Sequence, residues 1–306
     1  GAMAPAGLAL AAAYFDTPRY LAVATAAAEQ YVARDMTRGI TTGGPGEILQ
    51  CPDSESAFAL LESLTTLWQA TGSGTWLAAA LDMVRQCATW CVSYDYRFPD
   101  TSLFGRLNMH TTGSVIANVQ NKHSAPGICT LSGDSLLKLF RSSGDAFCLE
   151  LLRDIAHNIT QYLSRDDRPV GDMPSGWMNE RVNLSDWEGS GQVGGIFRGT
   201  TWAEVACMLT ITEIPGVYVR TDTAECWAFD HVEADCERTA SGLTLHLTNP
   251  TSFEAEVSIL AESGAQASQP LGAVDHLRWQ RVTVAAGGET RVVLPAMTSS
   301  GCPLAH

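Results

Sequence analysis

The sequence lacks several motifs that mark common classes of functional site. It contains no pair of CxxC motifs and no HExxH motif, so neither a structural nor a catalytic zinc site is indicated. It also contains no GxSxG nucleophile elbow, and its glycine-rich stretches lack the Lys-Ser/Thr ending of a phosphate-binding loop. We therefore expect no metal and no cofactor.

Positive charge and long apolar runs are also scarce. The chain has 19 Lys and Arg residues against 33 Asp and Glu residues, which gives a net charge of −14. That charge would repel nucleic-acid phosphates and an anionic membrane surface. No apolar run reaches the roughly 18 residues that span a bilayer. We therefore expect neither a nucleic-acid partner nor a membrane partner.

The N-terminus leaves the localisation open. The opening stretch GAMAPAGLALAAAYF is apolar but lacks the basic region that begins a signal peptide. Its first three residues resemble the remnant of a cleaved expression tag. Cys226, Cys236 and Cys302 would suit a disulfide in a secreted protein, but nothing in the pattern requires one. Secreted and cytoplasmic locations both remain possible.

A repeated helix-turn-helix pattern occupies much of the chain. The segments LWQATGSGTWL and LFRSSGDAFCL align, and each joins the end of one apolar helix to the start of the next. Gly72 and Gly144 suit the left-handed residue that ends a helix, and Ser73 and Asp145 suit the following N-cap. A degenerate third copy, YFDTPRYL, places Asp16 at an N-cap. Such repeats indicate antiparallel helix pairs.

The pattern changes from helical to strand-like periodicity after residue 219. We predict helices at 18–36, 54–71, 75–94, 131–143, 146–163 and 199–213, with a short helix near 112–119. Residues 225–300 alternate apolar and polar side chains with period two, which predicts a small antiparallel β-sandwich. We therefore divide the chain into a helical domain at 1–222 and a sandwich domain at 223–306.

Three segments resemble a known superfamily. QNKHSAPGICTLSGDSLLKLFRSSGD, MNERVNLSDWEG and EIPGVYV resemble bacterial and fungal members of the six-hairpin glycosidase-like superfamily. The resemblance covers roughly residues 110–300. It implies an (α/α) toroid, or barrel, of helical hairpins followed by a β-sandwich. Relatives of this architecture include glucuronidases and enzymes that cleave uronic polysaccharides by elimination.

The predicted toroid is incomplete. Six hairpins would need about twelve helices, two for each hairpin, and the pattern supports six to eight. A missing half of the barrel would leave apolar helix faces uncovered, and such faces usually mark an interface. We therefore expect either a homo-oligomer or a preceding segment that supplies the N-terminal half of the barrel.

The irregular stretch GWMNERVNLSDWEG is the best candidate for a catalytic loop. Glycoside hydrolysis typically uses two carboxyl groups, one as proton donor and one as base or nucleophile. Glu180 and Asp186 are the predicted catalytic pair, and Glu188 is a predicted binding residue. Trp177 and Trp187 could stack on sugar rings. Alternatively, these acids could bind backbone N–H groups in a structural turn.

Four further polar residues and one arginine complete the predicted binding site. Asn121, Lys122 and His123 are consecutive in a loop, and Lys122 or Arg181 could neutralise a substrate carboxylate. His123 could act as an acid or base near neutral pH, or it could hold the loop by bonding to the backbone. Asp134 could bind substrate or simply cap the next helix.

Three functions are compatible with these residues. The first is a glycoside hydrolase that acts on a glycan containing uronic acid or a related sugar. The second is a polysaccharide lyase on the same scaffold, with Asn121 and Arg181 neutralising the substrate carboxylate. The third is a non-catalytic glycosidase-like protein that binds glycans or assembles with other chains.

Overall fold

The chain forms two compact units, Gly1–Ile214 and Pro215–His306. The computed structural model describes residues 1–43, 51–120, 124–125, 127–184, 193–195, 197, 201–239, 242–272 and 274–295. The first unit is mainly helical and the second is built of β-sheets, which confirms the predicted order of α followed by β. The predicted boundary between residues 222 and 223 lies within the second unit, after its first strand.

The described part of the first unit contains eight α-helices and one short β-ladder. The helices are α1 (Ala4–Tyr14), α2 (Pro18–Arg34), α3 (Ser54–Thr71), α4 (Gly74–Ala88), α5 (Leu103–Arg106), α6 (Asp134–Ser143), α7 (Ala146–Ile159) and α8 (Trp202–Glu213). Strand β1 (Val115–Ile116) pairs antiparallel with β2 (Ser124–Ala125).

The two repeated turns confirm most of the predicted helix ends. Gly72 and Gly144 have φ angles of 66° and 72°, in the left-handed region that glycine adopts without steric cost. Asp145 caps α7 by accepting a hydrogen bond from the backbone N–H of Phe147. The third copy differs, because the N-cap of α2 is Thr17 and not Asp16.

Two other helix predictions are wrong, and one set of backbone hydrogen bonds explains both. The backbone N–H of Val92 donates to Ser114 O at 2.8 Å, and Gly113 N–H donates back to Val92 O at 2.8 Å. The N–H groups of residues 89–91 donate three residues back in a closing turn, and Val92 then enters an extended pairing, so α4 ends at Ala88 and not at residue 94. The same pairing places residues 115–116 in β1, where a helix near 112–119 was expected.

Helix α3 lies at the centre of the described helix contacts. It packs against α1, α2, α4 and α6, and the consecutive pairs α1–α2, α3–α4 and α6–α7 also pack together. Leu60, Leu61, Leu64 and Leu67 of α3 are at most 1% exposed. Helix α8 buries Ala203, Ala206 and Cys207 in a cluster formed largely by loop side chains. The contacts among the described residues do not show a closed barrel.

The second unit contains two sheets that share one hydrophobic core. Its described strands are β3 (Val217–Arg220), β4 (Glu225–Ala228), β5 (Glu233–Thr239), β6 (Gly242–Thr248), β7 (Ala255–Glu262), β8 (Gln280–Val284) and β9 (Glu289–Pro295), and a one-turn helix, α9 (Gly264–Ala267), follows β7. One sheet has the order β4-β3-β7-β8 and the other has β5-β6-β9. Strands β3 and β7 are parallel, so the expectation of purely antiparallel pairing is wrong for this pair.

Candidate functional site

The described residues include four of the ten predicted site residues. These are Trp177, Glu180 and Arg181 in one loop, and Asp134 at the start of α6. The other six lie outside the described residues: Asn121, Lys122, His123, Asp186, Trp187 and Glu188. The geometry of the site is therefore built from the loop at 176–184, which we call the Trp177 loop.

Ser164 anchors the start of the Trp177 loop. This serine is 1% exposed, and its backbone N–H donates to Trp177 O at 2.8 Å. Its carbonyl accepts from Gly176 N–H at 2.8 Å, and its hydroxyl donates to Met173 O at 2.8 Å. The loop backbone around Trp177 is therefore held by hydrogen bonds on both sides, although it belongs to no long helix or strand.

Asn179 anchors the middle of the loop. It is fully buried, and its side-chain carbonyl accepts a hydrogen bond from Phe197 N–H at 2.6 Å. Its amide group donates to the carbonyl of Arg181. The backbone N–H of Glu180 donates to Phe197 O at 3.0 Å. A buried amide with both ends satisfied fixes the positions of the two charged residues that follow it.

The charged and aromatic side chains of the loop are more exposed than the buried Asn179 that anchors them. Trp177 is 52% exposed, and Glu180 and Arg181 are half-buried. Met178 and Val182 point into the core and are at most 3% exposed. The Arg181 guanidinium stacks 4.0 Å from the centre of the Phe197 ring. This cation–π contact holds the guanidinium, which carries the N–H groups that bind carboxylates, against the Phe197 ring.

Two buried polar atoms beneath the loop have spare hydrogen-bonding capacity. Glu204, in the first turn of α8, accepts from Met178 N–H at 2.9 Å through one carboxylate oxygen. Its second oxygen and the side-chain nitrogen of Asn183 are buried and have no hydrogen-bond partner among the described residues. Since buried polar groups normally find partners, these two atoms favour a polar environment at the base of the loop.

Asp134 belongs to a different group of charges, which we call the carboxylate cluster: Glu62, Asp134, Lys138 and Glu213. Asp134 is the first residue of α6, and its carboxylate lies 2.5 Å from the Lys138 ammonium one turn later. Glu62 of α3 accepts from the hydroxyl of Ser135. Glu213, the last residue of α8, accepts from the hydroxyl of Ser132 at 2.6 Å.

The carboxylate cluster holds more negative than positive charge, and burial affects Glu62 and Lys138 most, while Glu213 is exposed. Burial raises the pKa of Glu62, and the neighbouring Asp134 raises it further, while Lys138 and Ser135 act in the opposite direction. Burial alone would lower the pKa of Lys138, but Asp134, Glu62 and Glu213 together raise it above its usual value. The lysine is therefore held as a cation between carboxylates of three helices.

The two groups of charges lie at opposite ends of α8. Glu204 at the N-terminal end contacts the Trp177 loop, and Glu213 at the C-terminal end contacts the carboxylate cluster. Nine residues of α-helix separate them, a rise of about 14 Å. Asp134 therefore belongs to the group of charges that α8 contacts at its C-terminal end, whereas Glu180 lies in the loop that α8 contacts at its N-terminal end.

Sequence reasoning did not identify Glu62, Lys138 or Glu213. Glu62 and Lys138 each interrupt an apolar helical stretch, ALLESL and SLLKLF, and such isolated charges are rarely buried without a partner. That pattern is a usable signal for a buried ion cluster. Glu213 gives no such signal, since a glutamate at the end of a helix is common on the surface.

Another pair of titratable groups stabilises the loop before β1. The Asp95 carboxylate accepts from the backbone N–H groups of Thr111 and Thr112 at 3.1 and 3.0 Å, and lies 2.8 Å from His110 Nδ1. Burial opposes ionisation, but hydrogen bonds from His110 and Thr112 lower the pKa of Asp95 to about 2. These bonds hold the loop backbone, which is a sufficient role for the pair.

The described residues give no sign of a metal centre or a membrane-spanning helix. Within the described ranges, no group of three or more His, Cys, Asp or Glu residues is arranged to hold a metal ion. No helix in the same ranges is long and apolar enough to cross a membrane. Comparison of the chain with protein-family models, curated proteins and solved structures finds no match.

Proposed function

We propose that this chain is a glycoside hydrolase that acts on a glycan containing uronic acid or a related sugar, at the Trp177 loop. The observation that carries the proposal is the contrast within this loop. Buried Asn179 and Ser164 fix its backbone, while Trp177 is half exposed beside Glu180 and Arg181. A preorganised loop that displays an indole, a carboxyl group and a guanidinium suits the binding and cleavage of an acidic sugar.

Each displayed group has a distinct role. The flat face of Trp177 stacks on the apolar face of a sugar ring. Arg181, oriented by its stacking on Phe197, binds the carboxylate of the uronic acid through its N–H edge. Glu180 and Asp186 are the two carboxyl groups that hydrolysis requires, one protonated and one ionised. The predicted contacts from outside the described residues are Asn121, Lys122, His123, Trp187 and Glu188.

The proposed scaffold is an incomplete (α/α) toroid followed by a β-sandwich. The consecutive helix pairs and the shared core of the two sheets support this architecture.

The proposal is tested with a panel of uronic-acid glycans and an assay for new reducing ends. We expect Glu180→Gln and Asp186→Asn to lower turnover by at least about 100-fold, as the loss of a general acid or base does, while both variants keep the thermal transition of the parent chain. Glu150→Gln, at an exposed position of α7, is the matched control and should keep full turnover. Full activity in both loop variants would remove the proposal, and a product that absorbs in the ultraviolet would identify the lyase alternative instead.

An assembly role is the second candidate function, favoured by an apolar stripe on α8. Val205, Met208 and Ile211 are spaced three residues apart and are 42%, 65% and 61% exposed. Three large apolar side chains on one helix face are typical of an interface, and a second copy of the chain is the proposed occupant. Met208→Glu should shift a dimer to monomer in light-scattering measurements. A parent chain that is monomeric at high concentration would exclude this role.

A further inference from the structure

Cys226 and Cys236 lie on the two strands that carry the chain from one sheet of the second unit to the other. Strand β4 is an edge strand of the sheet with the order β4-β3-β7-β8, and β5 is an edge strand of the sheet with the order β5-β6-β9. The chain passes between them through residues 229–232, and the two strands contact each other. The cysteines are therefore at an edge where the two sheets meet.

The two cysteines lie at similar distances from the crossover, one on each of the contacting strands. Cys226 is two residues before Ala228, the end of β4, and Cys236 is three residues after Glu233, the start of β5. At the rise of a β-strand these are distances of about 7 and 10 Å from the crossover. Both side chains are half-buried and pack against the core that the two sheets share.

The two thiols also interact directly. The neighbouring Cys236 thiol lowers the pKa of Cys226, although burial and Asp235 oppose this. The interaction with Cys226, together with burial, raises the pKa of Cys236. Cys226 is thus the thiol of the pair that more readily becomes a nucleophilic thiolate, with Cys236 beside it as the resolving thiol.

We propose that Cys226 and Cys236 form a reversible disulfide that covalently joins the two sheets of the second unit. The oxidant is a low-molecular-weight disulfide. The Cys226 thiolate attacks one of its sulfurs, forms a mixed disulfide and releases one reduced thiol. Cys236 then loses its proton to solvent and attacks the Cys226 sulfur, which forms the protein disulfide and releases the second reduced thiol. Two protein thiols are oxidised and one small disulfide is reduced.

The chain contains a second close cysteine pair that serves as a comparison. Cys87 and Cys91 lie one turn apart at the end of α4, where the Cys91 thiol donates to Cys87 O at 3.7 Å. Burial raises the pKa of both, and that of Cys91 reaches about 12. Neither thiol ionises readily, and Cys87 is fully buried. This pair should therefore stay reduced under conditions that oxidise Cys226 and Cys236.

The test is to treat the intact, folded chain with oxidised glutathione, block the remaining thiols with iodoacetamide and analyse the digested protein by mass spectrometry. We expect a linked peptide containing Cys226 and Cys236, with Cys87 and Cys91 alkylated only after unfolding. The thermal transition of the oxidised chain should rise by about 5 °C or more, because the bond closes a short loop of the unfolded chain. Dithiothreitol should reverse the shift.

Two serine variants define the order of the steps and the results that would overturn the proposal. Cys236→Ser should accumulate a mixed disulfide with glutathione at Cys226, and Cys226→Ser should form no bond in this region. Cys226 and Cys236 that both remain alkylatable in the treated parent chain would overturn the proposal. A linkage of either cysteine to Cys302, or a lasting mixed disulfide in the parent chain, would overturn it as well.

Discussion

The carboxylate cluster and the Trp177 loop place similar charged groups in opposite environments. In the cluster, Lys138 is 15% exposed in its side chain and is held between carboxylates from different helices. In the loop, Glu180 and Arg181 follow Asn179, a neutral and fully buried residue whose hydrogen bonds hold the loop backbone. In the carboxylate cluster, interactions between charged side chains join helices. In the Trp177 loop, hydrogen bonds of uncharged groups hold two charged side chains in place.

This difference separates stability from function in physical terms. Charges that pair with each other in a poorly solvated place cannot change partner without a large penalty, so they are suited to fixing one packing of helices. Charges held on a rigid neutral scaffold are preorganised for contact with a ligand. Substitutions in the two regions should therefore change different observables: unfolding free energy in the cluster, and turnover or binding at the loop.

The largest expected effect is the loss of the cation in the carboxylate cluster. Lys138 is one of only two lysines in the chain, and Lys138→Met would leave Asp134 and Glu62 without their cationic neighbour. We expect the free energy of unfolding to fall by about 3–5 kcal/mol, the usual cost of removing one partner of a buried ion pair. Urea denaturation at pH 7 measures it.

A matched control uses a surface ion pair. Arg153 lies 3.3 Å from Asp154 with its side chain 46% exposed, so Arg153→Met should change the same free energy by less than about 1 kcal/mol. The double variant Lys138→Met/Asp134→Asn should regain part of the lost stability, because it also removes one of the uncompensated carboxylates. Equal stability of Lys138→Met and Arg153→Met would show that the cluster is solvated.

The second effect comes from the buried base of the Trp177 loop. Asn179→Ala removes the partners of Phe197 N–H and the Arg181 carbonyl, so the free energy of unfolding should fall by about 1–3 kcal/mol. Turnover of the glycan should fall as well, because Glu180 and Arg181 lose their fixed positions. Chemical denaturation and the reducing-end assay measure the two losses.

Asn249 offers a control of the same chemistry in the other unit. It is fully buried, and its amide donates to Phe253 O at 2.8 Å and to Val284 O at 3.1 Å. Asn249→Ala should destabilise its own unit by a similar amount but leave glycan turnover unchanged below the melting temperature. If both asparagine variants kept the same turnover, the Trp177 loop would not be the catalytic loop.

Sequence reasoning was most successful where the structure depends on local chemistry. Helix α3 has the predicted bounds 54–71, and its C-terminal Gly72 adopts the left-handed conformation, because periodicity and turn residues act within a few positions. The alternation in GLTLHLT likewise predicts β6, where Leu243, Leu245 and Leu247 face the core.

The features that sequence reasoning missed depend on contacts between distant segments. Val92 leaves the helical pattern only because Ser114 offers it a backbone partner, and β3 is parallel to β7 across about forty residues of chain. The same is true of Asp134, whose neighbours Glu62 and Glu213 come from two other helices. No local sequence pattern around Asp134 indicates that Glu62 and Glu213 lie near it.

A third and smaller effect concerns the pH dependence of the carboxylate cluster. The folded chain holds a proton on Glu62 more tightly than the unfolded chain does, because burial and Asp134 raise its pKa above the usual 4.5. Its contribution to stability is therefore complete below pH 4.5 and is lost as pH rises through the folded-state pKa.

Glu62→Gln should remove this component of the pH dependence. Glutamine keeps an acceptor for the Ser135 hydroxyl but cannot ionise next to Asp134 and Glu213. The variant should therefore gain stability relative to the parent chain as pH rises from 4.5 towards neutrality. Urea denaturation at several pH values measures the difference, and parallel profiles for the two proteins would contradict the assigned role of Glu62.

The smallest expected effect on stability should accompany a clear effect on binding, at Trp177. Because its side chain is 52% exposed and its backbone bonds to Ser164 do not involve the indole, Trp177→Ala should change the free energy of unfolding by no more than about 0.5 kcal/mol. Loss of the stacking face should raise KM for the glycan about tenfold, equivalent to about 1.4 kcal/mol of binding.

Trp76, only 7% exposed, is the control, since Trp76→Ala should cost about 3–5 kcal/mol of stability through the cavity it leaves. A Trp177→Ala variant that loses stability but keeps the parent KM would place this indole in the core, and the contrast between the two regions would then rest on Glu180 and Arg181 alone.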